Sequence, residues 1–297
     1  MNDWIQPHVP TFAVVGRVNM GKSAVLATLL EIDDNELVRV SPTPGETTRC
    51  QLHRVVFGDR ECLRFIDTPG FSRPVEAMRA IQAIHGQGTP GIEALRKFVA
   101  EAGEEFGDEK RLLEPLVQGV GVLYVVDPAR PLRDDFLAEM EILRWTGSPR
   151  LALLNRRGEA TGPDEEAWKT RLGGAFNLVR TFDAHHARYE ERLRLLKALL
   201  EIEETHRERL EHTIQQVENE WRQRREEAVE SITAFIQAYP AAAPILGDMV
   251  AKMSDWPEHE EVGARLETLL PPRVADEPDA PAGGEPLPPL PFLPSAG

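Results

Sequence analysis

Gly16-Arg17-Val18-Asn19-Met20-Gly21-Lys22-Ser23 reads G-x-x-x-x-G-K-S, and this octapeptide decides the fold. The apolar run Thr11 to Val15 ends against Gly16, and Lys22 to Ile32 has helical character, so the motif sits between a strand and a helix. That is the context a phosphate-cradling loop requires. Glycines let the backbone wrap closely round phosphate oxygens, and free N–H groups at a helix start supply a positive field for an anion. Lys22 is expected to bridge terminal phosphates and Ser23 to hold Mg2+ through its hydroxyl. Asn19, Met20, Gly21 and Ala24 complete the expected nucleotide-binding loop.

A second phosphate-site element lies downstream. Asp67-Thr68-Pro69-Gly70 directly follows the apolar run Leu63 to Ile66. There Asp67 is expected to reach Mg2+ through water, and Gly70 to sense a terminal phosphate through its N–H. Between the two motifs, Pro44-Gly45-Glu46-Thr47-Thr48-Arg49 offers adjacent hydroxyls that can close over the metal, Thr48 preferred and Thr47 second. Taken alone that loop is an ordinary polar turn. The expected catalytic set is therefore Lys22, Thr48 and Gly70, and the metal set Ser23, Thr48 and Asp67.

Working outward, Leu52 to Phe57 pairs with Leu63 to Ile66 across Gly58-Asp59-Arg60. Val120 to Val126 and Leu151 to Leu154 are continuous apolar runs, as expected of strands buried on both faces of a parallel sheet. Phe176 to Phe182 is a candidate sixth strand. Helical patterns at Arg133–Trp145 and Glu165–Leu172 make this half an alternation of strands and helices. Pro74 to Gly119 is too long for a simple connection and reads as a helical insertion, with helices near Val75–Ile84, Ile92–Phe106 and Arg111–Val117.

From Ala187 to Tyr239 there is no Pro or Gly, which predicts one long helix or a pair. Heptad spacing runs through Leu196, Leu200, Leu210, Ile214, Val217, Trp221, Ala228 and Phe235, interrupted by Glu203, Arg207 and Arg224. Such a stripe must be covered by the chain's own globular part, by a second copy or by a partner. Shorter helices are expected at Ile245–Trp256 and Glu260–Leu270, and Pro271 to Gly297 reads as a disordered tail whose proline-rich end has the composition of a polyproline II ligand. The expected division is a nucleotide domain over 1–185, a helical or coiled-coil region over 186–270 and the tail over 271–297.

The composition sets limits. A formal net charge of −15 argues against a protein that coats nucleic acid. A mean hydropathy of −0.34 and the lack of an apolar run of membrane-spanning length suit a water-soluble chain. Met1-Asn2-Asp3-Trp4-Ile5 has no secretory pattern, so a cytoplasmic location is expected, and two cysteines, Cys50 and Cys62, make no disulfide framework.

The set G-R-V-N-M-G-K-S, T-P-G-E-T-T-R and D-T-P-G resembles the Era-like GTPases, relatives of the septins and of tRNA-modification and ribosome-assembly GTPases. The resemblance covers roughly residues 10 to 185. It is similar in particular to bacterial proteins that join an Era-like domain to a helical C-terminal region, often followed by a Gly/Ala-rich membrane-associating segment that is not visible here. The resemblance implies a six-stranded mixed sheet, binding of GTP and GDP with Mg2+, slow hydrolysis, and switch loops round Thr48 and Gly70. It also implies a guanine site where Asn155 and Arg156 stand for the first residues of N-K-x-D and Ala184 makes a backbone contact to the base. Gly158 occupies the position of the base-reading Asp, with Glu159 the nearby carboxylate, so a base-indifferent or ATP-using NTPase is the alternative. Asn19 matches an asparagine that in some members helps hold an activating K+, and an ordinary loop residue explains it equally. Phe71 follows D-T-P-G where a water-orienting Gln is common, which points to slow turnover or to a nucleotide-stabilised scaffold. A homodimer through the helical arm, an unidentified effector, and membrane contact only through a partner or a missing segment complete the expectations. The adjacent His185 and His186 raise a metal site, against which a polar loop is preferred.

Overall fold

In the computed structural model, which describes residues 4–6, 8–30, 49–57, 59–156, 165–182 and 189–238, β1 (Thr11–Val15) is buried along its whole length. It lies inside a six-stranded sheet whose other strands are β2 (Gln51–Phe57), β3 (Arg60–Asp67), β4 (Gly121–Val126), β5 (Arg150–Asn155) and β6 (Leu178–Phe182). The order is β2-β3-β1-β4-β5-β6. Only β2 and β3 pair antiparallel, and the other neighbours are parallel. The sheet is thus mixed, as the resemblance implied. Continuous apolar runs in β1, β4 and β5 follow from helices covering both faces. Edge strand β2 is more polar, and a register shift between Val55 and Val56 breaks its regularity.

The helices are α1 (Lys22–Leu30), α2 (Pro74–His85), α3 (Ile92–Glu101), α4 (Gly107–Leu116), α5 (Asp134–Trp145), α6 (Glu165–Ala175), α7 (Tyr189–Ile202) and α8 (Arg207–Ala238). Because β1 is followed by β3 on one side and β4 on the other, its C-terminal end faces a point where the winding reverses, the usual ligand crevice of such sheets.

Two expected helices have different bounds. The stretch Ile92–Phe106 is split, since α3 stops at Glu101, Ala102 is extended and a single 3-10 turn occupies Glu104–Phe106. Helix α4 begins at Gly107, four residues before the expected Arg111, with Asp108 and Glu109 in the first turn where carboxylates favour a helix start.

The arm is a pair of helices. No Pro or Gly breaks it; Glu203 does, its buried Oε1 accepting the N–H groups of Thr205 (2.9 Å) and His206 (3.2 Å) at the entry to α8. Leu195, Leu196 and Leu199 of α7 join the core under the sheet, and Arg192 donates to the Leu29 carbonyl of α1 at 3.0 Å. Leu210, Thr213, Ile214 and Val217 of α8 are buried as well, so the first three heptad positions of α8 are covered by the chain's own domain. Met1–Val217 forms one compact unit and Glu218–Gly297 another. The described part of the second is helical to Ala238, with Arg224 and Glu220 paired at 3.8 Å on its surface. The expected segments from Ile245 onward lie outside the described residues. Among the described residues no helix is long and apolar enough to cross a membrane.

Candidate nucleotide site

The loop after β1 can be built only from this sequence pattern. A Cβ on Gly16 would meet the Val125 carbonyl oxygen of β4 at 2.4 Å, so the loop passes closer to β4 than any side chain permits. Asn19 (φ 63°) and Gly21 (φ 89°) occupy the left-handed region, which asparagine and glycine tolerate best. Such residues interleaved with right-handed ones are the backbone pattern of an anion nest. Helix α1 starts immediately, with the Val25 N–H on the Gly21 carbonyl at 3.0 Å. Met20 is buried beneath the loop, Ser23 is exposed in the first turn of α1 and Ala24 is half-buried beside it. Lys22 folds back along the loop, its Nζ donating to the carbonyls of Gly16 (2.9 Å) and Arg17 (3.2 Å). Burial lowers its pKa, opposed by the nearby carboxylates of Asp67 and Glu139.

The second motif meets the first. Asp67, buried at the end of β3, is in register with Val14 of β1, and the Thr68 hydroxyl donates to the Val14 carbonyl at 2.9 Å. A Cβ on Gly70 would approach the Gly16 oxygen at 3.2 Å and the Arg17 Cα and Val18 N at 3.3 Å. The two phosphate-site elements are therefore in contact before any ligand is considered. Ser23, in the first turn of α1, and Asp67, at the end of β3, carry hard oxygen donors, the donor chemistry that suits Mg2+ beside phosphates. Phe71 is buried and lines a cleft of about 690 Å3 with Arg17, Val18, Arg130, Arg133 and Phe136.

Beneath the loop, Arg17 is anchored to α5. It pairs with Asp135 at 2.9 Å, approaches Glu139 at 3.6 Å and lies 5.4 Å from the centre of the Phe136 ring. Glu139 has no exposed surface and accepts the Tyr124 hydroxyl at 2.7 Å. Burial pushes its carboxyl up to about 8, against the lowering effects of Tyr124 and Arg17, and burial likewise raises the Tyr124 hydroxyl.

On the base side, Asn155 is buried at the end of β5 and its Nδ2 donates to the Met20 carbonyl at 3.0 Å. It ties β5 to the phosphate loop across 135 residues of chain. The Arg156 backbone N–H donates to the Phe182 carbonyl at 2.7 Å, while its guanidinium binds both carboxylate oxygens of Glu165 in α6. That partner holds Glu165 below the usual carboxylate range. The charge of Arg156 is thus spent within the protein. Thr47, Thr48, Gly158, Glu159, Ala184, His185 and His186 lie outside the described residues.

Sequence reasoning missed Glu109 and Glu139, both fully buried. A signal existed. Glu109 stands three, four and seven residues before Leu112, Leu113 and Leu116, and Glu139 stands between Phe136 and Leu143, so each falls on the apolar stripe of its helix. A carboxylate on such a stripe has a partner or a task.

Sheet order, loop geometry and motif contact together define the P-loop nucleotide-binding fold. Residues 11–156 match the family described as 50S ribosome-binding GTPase, in keeping with the Era-like resemblance, and residues 169–260 match the family described as Domain of unknown function (DUF3482). GTPase Era of Nitrosomonas eutropha is 26% identical over 124 residues, 41% of this chain and 40% of that protein. The probable GTP-binding protein EngB of Desulfatibacillum aliphaticivorans is 38% identical over 65 residues, 22% of this chain and 29% of its own length. The chain therefore spans well under half the length of these relatives. A solved GTP-binding protein from Sulfolobus solfataricus in complex with GDP is 17% identical, covering 65% of this chain and 53% of that one with a TM-score of 0.39.

Proposed function

We propose that this protein binds Mg-GTP, hydrolyses it slowly to GDP and phosphate, and acts as a nucleotide-dependent regulatory or assembly switch. The observation that carries the reading is the contact of Gly70 with Gly16, Arg17 and Val18, because it puts a phosphate-sensing N–H beside the phosphate loop. Lys22 bridges the terminal phosphates, and Ser23, Asp67 and Thr48 are the residues to hold Mg2+. When bound, that ion neutralises charge on the β- and γ-phosphates. Asn19, Met20, Gly21 and Ala24 line the phosphates, and Asn155, Arg156 and Ala184 border the base. The buried apolar Phe71 orients no water, so turnover is slow and K+ at Asn19 or a partner accelerates it. The functional division stays at 1–185, 186–270 and 271–297, in the cytoplasm. A second copy or an effector engages the helical arm.

A base-indifferent NTPase is the second reading, favoured by the engagement of Arg156 with Glu165. Calorimetry of GTP, GDP and ATP binding with Mg2+, repeated on Lys22→Ala, tests both. Guanine-selective binding that weakens by about 100-fold or more in the variant is expected, since a charge-assisted contact to each of two phosphates is lost. Equal ATP binding moves the second reading ahead, and no binding of any nucleotide overturns both.

A further inference from the structure

We infer that Glu109, in the inserted helices, is a positioning residue for hydrolysis, holding the segment after Gly70 in register with the phosphate loop; this rests on the GTPase reading above. Since Phe71 supplies no polar group, what the segment contributes is the placement of the Gly70 backbone, and that placement is set by the residues that follow. Those residues are gripped from α4. Oε1 of Glu109 accepts the N–H groups of both Ser72 (2.8 Å) and Arg73 (2.5 Å), and Oδ2 of Asp108 accepts the Ser72 hydroxyl at 2.6 Å. Arg73, the residue that enters α2, makes no side-chain cap of its own, so the acceptor comes from another helix.

The choice of a carboxylate is informative. Glu109 has no exposed surface, and its Oε2 accepts no hydrogen bond among the described residues. Burying an incompletely satisfied carboxylate is unfavourable, so its bonded oxygen is there to hold groups whose placement matters. The charge is useful where two backbone dipoles must be held firmly, here at the entry to α2 and in the first turn of α4 itself. The same helix also meets the chain at the approach to β2. The Cys50 thiol, at the approach to β2 and just beyond the Thr47-Thr48 loop, donates to the Arg111 carbonyl at 3.2 Å. Helix α4 thus touches the chain on the far side of both motif loops.

The test compares single-turnover GTP hydrolysis and GDP affinity in the full chain for wild type, Glu109→Ala, Glu109→Gln and Ser72→Ala. Loss of placement without loss of the phosphate cradle should slow hydrolysis by about tenfold in Glu109→Ala while GDP affinity stays within about twofold. Glu109→Gln keeps an acceptor oxygen and should recover to within about threefold of wild type; Ser72→Ala, which removes only the Asp108 contact, should slow turnover by about threefold. Unchanged rates in all three variants, or GDP affinity falling in step with rate, overturn the role and leave a structural cap. If Glu109→Ala does not fold, the two milder variants decide, and wild-type rates in both refute the inference. A wild-type chain that binds GTP without turning it over instead removes the GTPase reading, and the positioning role with it.

Discussion

The phosphate side and the base side of this site are built on opposite terms. On the phosphate side, backbone meets backbone: Gly16 against Val125, Gly70 against Gly16 and Val18, with Lys22 lying along the loop. At the end of β5, where the base contacts are proposed, the side chains are committed to the protein. Asn155 is bonded to the Met20 carbonyl and Arg156 to Glu165. The difference teaches that the shape of the loop after β1 is a property of chain path, which glycines enforce, whereas polar side chains at the end of β5 are easily redirected to partners within the protein.

The contrast can be broken most directly at Asn155. If it serves the phosphate loop, Asn155→Ala leaves the Met20 carbonyl without that donor and weakens GTP and ATP binding alike, by about tenfold. A loss confined to GTP would return Asn155 to the base side.

A smaller effect sharpens the phosphate side. The Glu139 carboxyl, raised to about 8 by burial, faces Tyr124 from β4, Arg17 and Lys22 from the loop and helix start, and Asp135 on its own helix. A carboxyl with a raised folded pKa keeps its proton better folded than unfolded. Native stability therefore falls as pH climbs from the ordinary carboxylate range to about 8, and this contribution is flat above it. Over the same upper limb a negative charge appears beneath Lys22 and Arg17. GDP affinity should fall by about threefold between about pH 7 and 9 in wild type and stay level in Glu139→Gln, a difference fluorescence titration resolves. Parallel pH profiles would remove Glu139 from the account.

The smallest expected change is at Arg156. With its guanidinium on Glu165, Arg156→Ala should alter the ratio of GTP to ATP affinity by less than about twofold. A larger collapse of that ratio would mean that the arginine reads the base after all.

What the sequence made legible follows the same line. The sheet, the loop and the D-T-P-G turn were visible because each is a local pattern: an apolar run, then glycines at fixed spacing. Strand β6 and the helices either side of β5 were visible through periodicity. The break between α7 and α8 was legible only as an interruption of the heptads at Glu203, Arg207 and Arg224, because what ends the helix is the bonding of Glu203 to its own neighbours. Glu109 and Glu139 were hidden for a related reason, since their meaning lies in partners on other elements, namely Ser72, Arg73, Tyr124 and Arg17. The pairing of Arg156 with Glu165 was equally out of reach, because the stretch reads as a base-contacting motif until its neighbour in α6 is seen.

The burial of Leu195, Leu196 and Leu199, and then of Leu210, Ile214 and Val217, has a bearing on how the protein is made. The six strands are all synthesised by Phe182, yet the apolar core that includes them is complete only when Val217 has been added. During translation, which proceeds at roughly 5–20 residues per second, the nascent domain must wait several seconds with part of its underside open. A fragment ended at residue 185 would be held permanently in that state.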